Sequence, residues 1–250
     1  MRVLILGGTG EARALATALD GQPGVEVISS LAGRVTDPAL PVGQVRIGGF
    51  GGVAGLSAYL SDEKIEAVVD ATHPFAATIT AHAAVAAPDA GCPLLILRRP
   101  GWRESGGDRW TRVPDIVAAA ALVAAGPPGT IFLTTGRRDL AVFAGDWSHD
   151  YVVRTVDPPT GAQPPRMALL LDRGPYSVEG ETALLRQHNV SVLVTKDSGG
   201  AMTMAKLAAA RGLAVPVVMV DRPPLPVEVG VVETVDAAVQ WLVSPGSAEG

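Results

Sequence analysis

The sequence predicts an α/β protein built from two doubly wound parallel sheets, over residues 1–98 and 99–250, with a cleft between them. Three observations predict it. Short continuous apolar runs alternate with Ala/Leu-rich runs of helical length. Glycine-rich turns stand where an apolar run gives way to a helix, and a polar, turn-rich stretch from Arg98 to Arg112 interrupts the alternation. Continuous apolar strands are what a sheet covered on both faces by helices requires, and crossovers of one hand wind such strands into a single layer.

In the first half, Val3–Leu6, Val25–Ser29, Ala67–Asp70 and Leu94–Leu97 read as buried strands, and Glu11–Leu19, Val53–Leu60 and Phe75–Ala87 as the helices between them. The stretch from Arg98 to Arg112 has no clean period and marks the boundary. The alternation then resumes, with a helix over Ile116–Ala125, a strand over Thr130–Thr134 and a short helix over Arg137–Phe143. Strands follow at Tyr151–Thr155 and Met167–Leu171, then a helix at Val178–His188 and a strand at Val190–Thr195. A helix over Met202–Arg211, a strand over Val217–Val220 and a helix over Val235–Leu242 complete the second half, and the tail Ser244–Gly250 is expected to fray. No sequence repeat links the two halves.

Composition bounds the function. With 250 residues and 48% hydrophobic residues, the chain can bury a sizeable core. The net charge of -5 argues against nucleic acid or an anionic membrane as the main partner, while leaving room for a local basic pocket. The single cysteine, Cys92, excludes an intramolecular disulfide and reads as a small buried hydrophobe. The apolar run after Met1 is too short for a signal peptide, and Ile116–Ala125 is about half the length needed to span a bilayer. A soluble, cytoplasmic protein is expected. The histidines stand in no metal-ligand spacing with acids or thiols, so no metal site is expected, and His149 and His188 read as surface residues.

The strand Val3–Leu6 runs into Gly7-Gly8-Thr9-Gly10-Glu11, a strand, a glycine turn and a helix start. Such a turn lets the backbone approach a pyrophosphate and aims helix N-terminal amides at it, which makes Gly8, Thr9, Gly10 and Glu11 candidate cofactor residues; the alternative is a tight structural turn. Arg13 stands where the usual dinucleotide fingerprint has its third glycine. The second strand ends in Ser29-Ser30-Leu31-Ala32-Gly33-Arg34 with no acid to hold a ribose 2′-hydroxyl. Serine donors and an arginine fork suit a 2′-phosphate instead, so NADPH is expected, with Ser29, Ser30 and Arg34 at its phosphate. The cluster Gly48-Gly49-Phe50-Gly51-Gly52 lies at the same sheet edge, where Gly49 packs under the cofactor or serves as a plain turn.

Asp70-Ala71-Thr72-His73-Pro74-Phe75 follows the next strand. Its place suits the nicotinamide end of the cofactor, with Thr72 beside it and Asp70 orienting loop amides. His73 has the pKa range for proton work, or else bonds to backbone at the helix start. In the second half, Thr134-Thr135-Gly136-Arg137 and Thr195-Lys196-Asp197-Ser198-Gly199-Gly200 repeat the strand, small-residue turn and helix logic. Arg173-Gly174-Pro175-Tyr176-Ser177 makes a third such edge. Backbone amides, hydroxyls and cations at these turns suit carboxylates or phosphates.

Together these motifs resemble the precorrin-6A reductases of cobalamin (vitamin B12) biosynthesis, in order over nearly the whole chain; Asp-Ala-Thr-His-Pro-Phe and Lys-Asp-Ser-Gly-Gly are the specific strings. The Tyr at 176 stands where that family's motif has a Phe. The resemblance implies Rossmann-like domains and NADPH-dependent reduction of precorrin-6A to precorrin-6B. It implies a small-molecule partner, a tetrapyrrole-derived polycarboxylate, held by Arg137, Lys196, Asp197, Ser198 and Gly199. His73, Tyr176 or water delivers the proton that accompanies the hydride. Another NADPH-dependent reductase of a polycarboxylate, or a non-catalytic NADP(H)-sensing module, would share the first half.

Overall fold

The computed structural model describes residues 1–33 and 39–243. The chain divides into two compact units. One comprises Met1–Pro100 together with the segment from Pro224 onward, the other Gly101–Pro223.

The first unit contains β1 (Arg2–Leu6), α1 (Gly10–Leu19), β2 (Glu26–Leu31), β3 (Gln44–Ile47), α2 (Val53–Asp62), β4 (Ala67–Asp70), α3 (Ala77–Asp89) and β5 (Leu94–Leu97). The second contains β6 (Trp110–Val113), α4 (Ile116–Ala124), β7 (Thr130–Leu133), β8 (Asp150–Thr155), β9 (Met167–Leu171), α5 (Val178–Gln187), β10 (Val190–Lys196), α6 (Ala205–Gly212) and β11 (Val217–Val220). The chain then returns to the first unit as β12 (Gly230–Val232) and α7 (Val235–Val243). The strands form two six-stranded sheets, β3-β2-β1-β4-β5-β12 and β9-β8-β7-β10-β11-β6. Every pairing is parallel.

The apolar runs are continuous because both sheet faces are covered. Successive residues of a strand point to opposite faces, so Val3 and Ile5 pack with Leu15 and Leu19 of α1 and Ala238 of α7. Leu4 and Leu6 pack on the other face with Leu56 and Leu60 of α2 and Ala83 of α3. In the second unit Phe132, Leu193 and Met219 meet Leu185 of α5 and Leu207 of α6.

The assignment of all of residues 99–250 to a second domain is corrected. β12 pairs with β5, Gly230 opposite Leu95 and Val232 opposite Leu97, and α7 packs on α1. The stretch expected to be irregular contains β6, which pairs with β11. The first sheet thus has the strand order 3-2-1-4-5-6 of doubly wound dinucleotide folds. The second sheet repeats that order, with its sixth place filled by β6, which follows β5 in sequence. The first sheet takes its last strand from beyond the whole second unit, whereas β6 opens the unit whose sheet it edges. The halves share no sequence repeat, yet they share a topology.

Smaller differences have local causes. The helix expected over Arg137–Phe143 is a 3₁₀ turn at Leu140–Phe143. The helix expected from Met202 begins at Ala205, after Gly199 and Gly200 adopt positive φ. His149, expected at the surface, is 1% exposed, with Nδ1 against Asp146 Oδ2 at 2.7 Å and Nε2 against Pro127 O at 3.0 Å. Among the described residues no helix is long and apolar enough to cross a membrane, and no group of three or more His, Cys, Asp or Glu could hold a metal ion.

Candidate functional site

The carboxyl ends of β1, β2, β3 and β4 form one rim of the first sheet. Gly7 N–H donates to Ser30 O at 2.9 Å and ties β1 to β2. Gly8 has φ +110°, a conformation that L side chains rarely adopt, and it turns the chain into α1. Thr9 caps α1: its hydroxyl accepts from Ala12 N–H at 3.1 Å and donates to Ala71 O at 2.7 Å. The Thr9 side chain therefore shapes the turn and anchors it to β4. The N–H groups of the first turn, from Gly10 onward, point out of the helix as anion donors. A carboxylate there would oppose an anion, but Glu11 is neutralised by Arg99 at 2.6 Å.

The two serines of β2 do not converge. Ile28 lies in the cluster facing α2 and α3, while Val27 packs toward α1 and α7. By alternation Ser30 shares the α2 face and Ser29 the α1 face. Ser29 is 1% exposed, and its hydroxyl makes no hydrogen bond among the described residues. Ser30 meets a residue that sequence reading missed, Arg46 of β3, whose Nη1 donates to Ser30 Oγ at 3.1 Å. Arg46 also donates to Gly48 O at 2.7 Å and to Gly49 O at 2.8 Å, so Gly49 holds the arginine through its carbonyl. Arg34 lies outside the described residues.

At the end of β4, buried Asp70 accepts from Thr72 N–H (3.0 Å), Thr72 Oγ1 (2.6 Å) and Thr80 Oγ1 (2.5 Å). Asp70 thus organises the loop, as the sequence suggests, and Thr72 is held by it. His73 is exposed, and its Nδ1 accepts from Phe75 N–H at 3.2 Å, which leaves the ring proton on Nε2. His73 and Pro74 line a small hollow with Asp70, Thr80 and Arg98.

In the second unit, β7 and β10 end side by side, and Thr134 N–H donates to Val194 O at 3.0 Å. Gly136 turns the chain at φ +93°, and Arg137 lies against Pro158 O at 3.4 Å and Asp157 at 3.7 Å. Lys196 meets Asp139 at 2.6 Å. Ser198 and Gly199 follow in a turn in which Ser198 N–H donates to Lys196 O at 2.7 Å. Asp197, expected to touch substrate, points elsewhere. It is 5% exposed, and its carboxylate accepts from Trp102 N–H at 2.9 Å and Arg112 Nη2 at 2.8 Å. Burial works against the Arg112 charge, but the hydrogen bonds to Asp197 and Asp221 outweigh it and raise its pKa. A Cβ at Gly101 would lie 2.8 Å from Asp197 Oδ2, so glycine is needed for this approach.

The family model for precorrin-6x reductase CbiJ/CobK matches residues 2–243. This chain belongs to the precorrin-6x reductase family. A precorrin-6A reductase of Rhodococcus erythropolis is 54% identical over 96% of this chain and 97% of its own length. One of Mycobacterium tuberculosis is 52% identical over 96% of this chain and 97% of its own. A solved structure of CobK precorrin-6A reductase superposes with a TM-score of 0.89 at 44% identity, covering 97% of this chain and 96% of that one.

In this precorrin-6x reductase family member, Tyr176 is not a freely presented phenol. The Arg154 guanidinium lies 3.7 Å from its ring centroid, and its hydroxyl donates to Asp172 O at 3.2 Å. Burial pushes its pKa up. Arg154 forms a buried fork with Glu181, Nη2 to Oε2 at 2.9 Å. Beneath it lies Lys206, a second residue that sequence reading passed over as part of an ordinary helix. Its ammonium is buried, donates to Thr203 O at 3.0 Å and sits 4.9 Å from the Trp102 ring. Burial, then the nearby Arg154 charge, pushes its pKa down to about 7.

Proposed function

We propose that this protein reduces a ring double bond of precorrin-6A to give precorrin-6B, with NADPH as the reductant, as a step of cobalamin biosynthesis. The observation that carries the reading is 54% identity, over 96% of the chain, to a protein that bears the name precorrin-6A reductase. The first-unit rim fits a nicotinamide dinucleotide. A glycine with φ +110° opens the turn, and the first amides of α1 follow it. The acid of that first turn is neutralised by Arg99, and the arginine beside Ser30 supplies positive charge.

When bound, NADPH supplies the hydride. The chain's own residues bind, orient and protonate. Gly8, Gly10 and Glu11 present backbone to the pyrophosphate, and Thr9 holds that backbone in place. Thr72 lies beside the nicotinamide end. In the second unit Arg137, Lys196, Ser198 and Gly199 hold carboxylate arms of the macrocycle, while Asp197 holds the loop through Trp102 and Arg112. The proton comes from His73 rather than Tyr176. His73 is exposed at the rim and acts as the imidazolium, whose acidic N–H protonates the macrocycle and which solvent then reprotonates, whereas the Tyr176 hydroxyl donates to Asp172 O and its pKa is raised.

The test is incubation with NADPH and precorrin-6A, following nicotinamide absorbance and product mass. Precorrin-dependent NADPH oxidation and a product two hydrogens heavier are expected. Tight NADPH binding without oxidation would point to a sensing module and end the proposal.

A further inference from the structure

We infer that Arg46 reads the 2′-phosphate of the dinucleotide and sets the preference for NADPH over NADH. The inference rests on the reading of the first unit as a dinucleotide-binding domain. It assigns a discriminating charge to β3, in addition to the candidate Arg34 of the loop after β2.

Position comes first. In a sheet of this order the ribose 2′ position is read at the end of the second strand. Arg46 is in register with Ser30 there, on the neighbouring strand and on the same face. The acid that would hold a 2′-hydroxyl is absent from Ser29-Ser30-Leu31-Ala32-Gly33.

Charge comes next. Arg46 bonds only neutral acceptors among the described residues: Ser30 Oγ, Gly48 O and Gly49 O. Glu63 and Glu11 of the same unit pair with Arg2 and Arg99 instead. A guanidinium carries five N–H donors and no acceptor. Three are used, so Nε–H and one Nη2–H remain for an anion. Ser30 accepts from Arg46 through its oxygen, so its own hydroxyl proton is left to donate to the same anion. A phosphate with three acceptor oxygens matches this set.

Preorganisation comes third. The guanidinium lies 3.7 Å from the Phe50 ring centroid and 5.0 Å from that of Tyr59, and the two rings meet edge to face at 5.2 Å. The loop comes this close to α2 because residue 55 is glycine: a Cβ there would lie 1.8 Å from Phe50 O. The fork is thus held before any ligand arrives, which lowers the entropy lost on binding.

The test is titration calorimetry of the full chain with NADPH, NADH and adenosine 2′,5′-bisphosphate, which needs no turnover. Arg46→Met should weaken NADPH and the bisphosphate by about a hundredfold and NADH by less than about threefold. Arg46→Lys keeps a charge but loses the fork, and should cost NADPH about tenfold, with a thermal melt like that of the parent. Equal loss of NADPH and NADH in either variant would overturn the assignment, as would an unchanged preference. If the parent chain binds none of the three ligands, the dinucleotide reading itself fails, and the inference falls with it.

Discussion

Lys196 and Asp139 face each other across the ends of β10 and β7, ammonium to carboxylate at 2.6 Å, with the two side chains 19% and 17% exposed. The lysine that sequence reading assigns to substrate is therefore held by an acid from the neighbouring loop. It is oriented at the rim without being buried beneath it.

If Lys196 holds a carboxylate arm, Lys196→Met should raise KM for the macrocycle by about tenfold to a hundredfold, the worth of one charge-assisted hydrogen bond. NADPH affinity should stay as it is. Asp139→Asn keeps the ammonium and should move KM less. Asp197→Asn should instead lower the denaturation midpoint, because it removes the charge that Arg112 pairs with and leaves one oxygen to accept where two now accept from Trp102 and Arg112. Steady-state kinetics on both substrates separates these outcomes, and an unchanged KM in Lys196→Met removes the residue from the site.

His73→Gln tests the proton. Glutamine keeps a polar side chain at the rim but carries no titrating proton. A positioned acid contributes about a hundredfold or more to rate, so kcat should fall by that order while NADPH binding is retained. Near-normal turnover at every pH would assign the proton to Tyr176 or to water.

Lys206 makes a prediction about stability against pH. Its folded pKa is pushed down to about 7 from an ordinary value of 10.5. Between those values the unfolded chain binds more protons than the folded one. The contribution of this group to stability therefore rises as pH goes from 7 to 9, with a slope of up to about 1.4 kcal/mol per pH unit. Denaturant midpoints should climb over that window in the parent chain. Lys206→Met should flatten the climb; a climb of the same slope in the variant would show that the group titrates elsewhere.

Much of this was legible in the sequence. Val3–Leu6 ends where β1 ends, Ala67–Asp70 and Leu94–Leu97 are strands as expected, and the turns at Gly8, Gly136 and Gly199 sit at strand ends. Asp70 organises its loop as expected. These are local matters: an apolar run covered on both faces, a glycine where φ must be positive, a hydroxyl that caps the next helix.

What the sequence left open depends on partners distant along the chain. β6 and β12 are edge strands of four and three residues, too short and too exposed to stand out as buried runs. Only pairing with β11 and β5 makes them strands, and only the β12–β5 pair reveals that the chain returns to the first unit. Asp197 reads as a rim residue until Trp102 and Arg112, 95 and 85 positions away, close on its carboxylate. Arg46 reads as one charge in a short strand until the register sets it beside Ser30 and turns Ser29 to the opposite face. Periodicity is written along the chain and can be read there; register, face and the partner of each charge arise from contacts between segments, and only the folded chain brings those together.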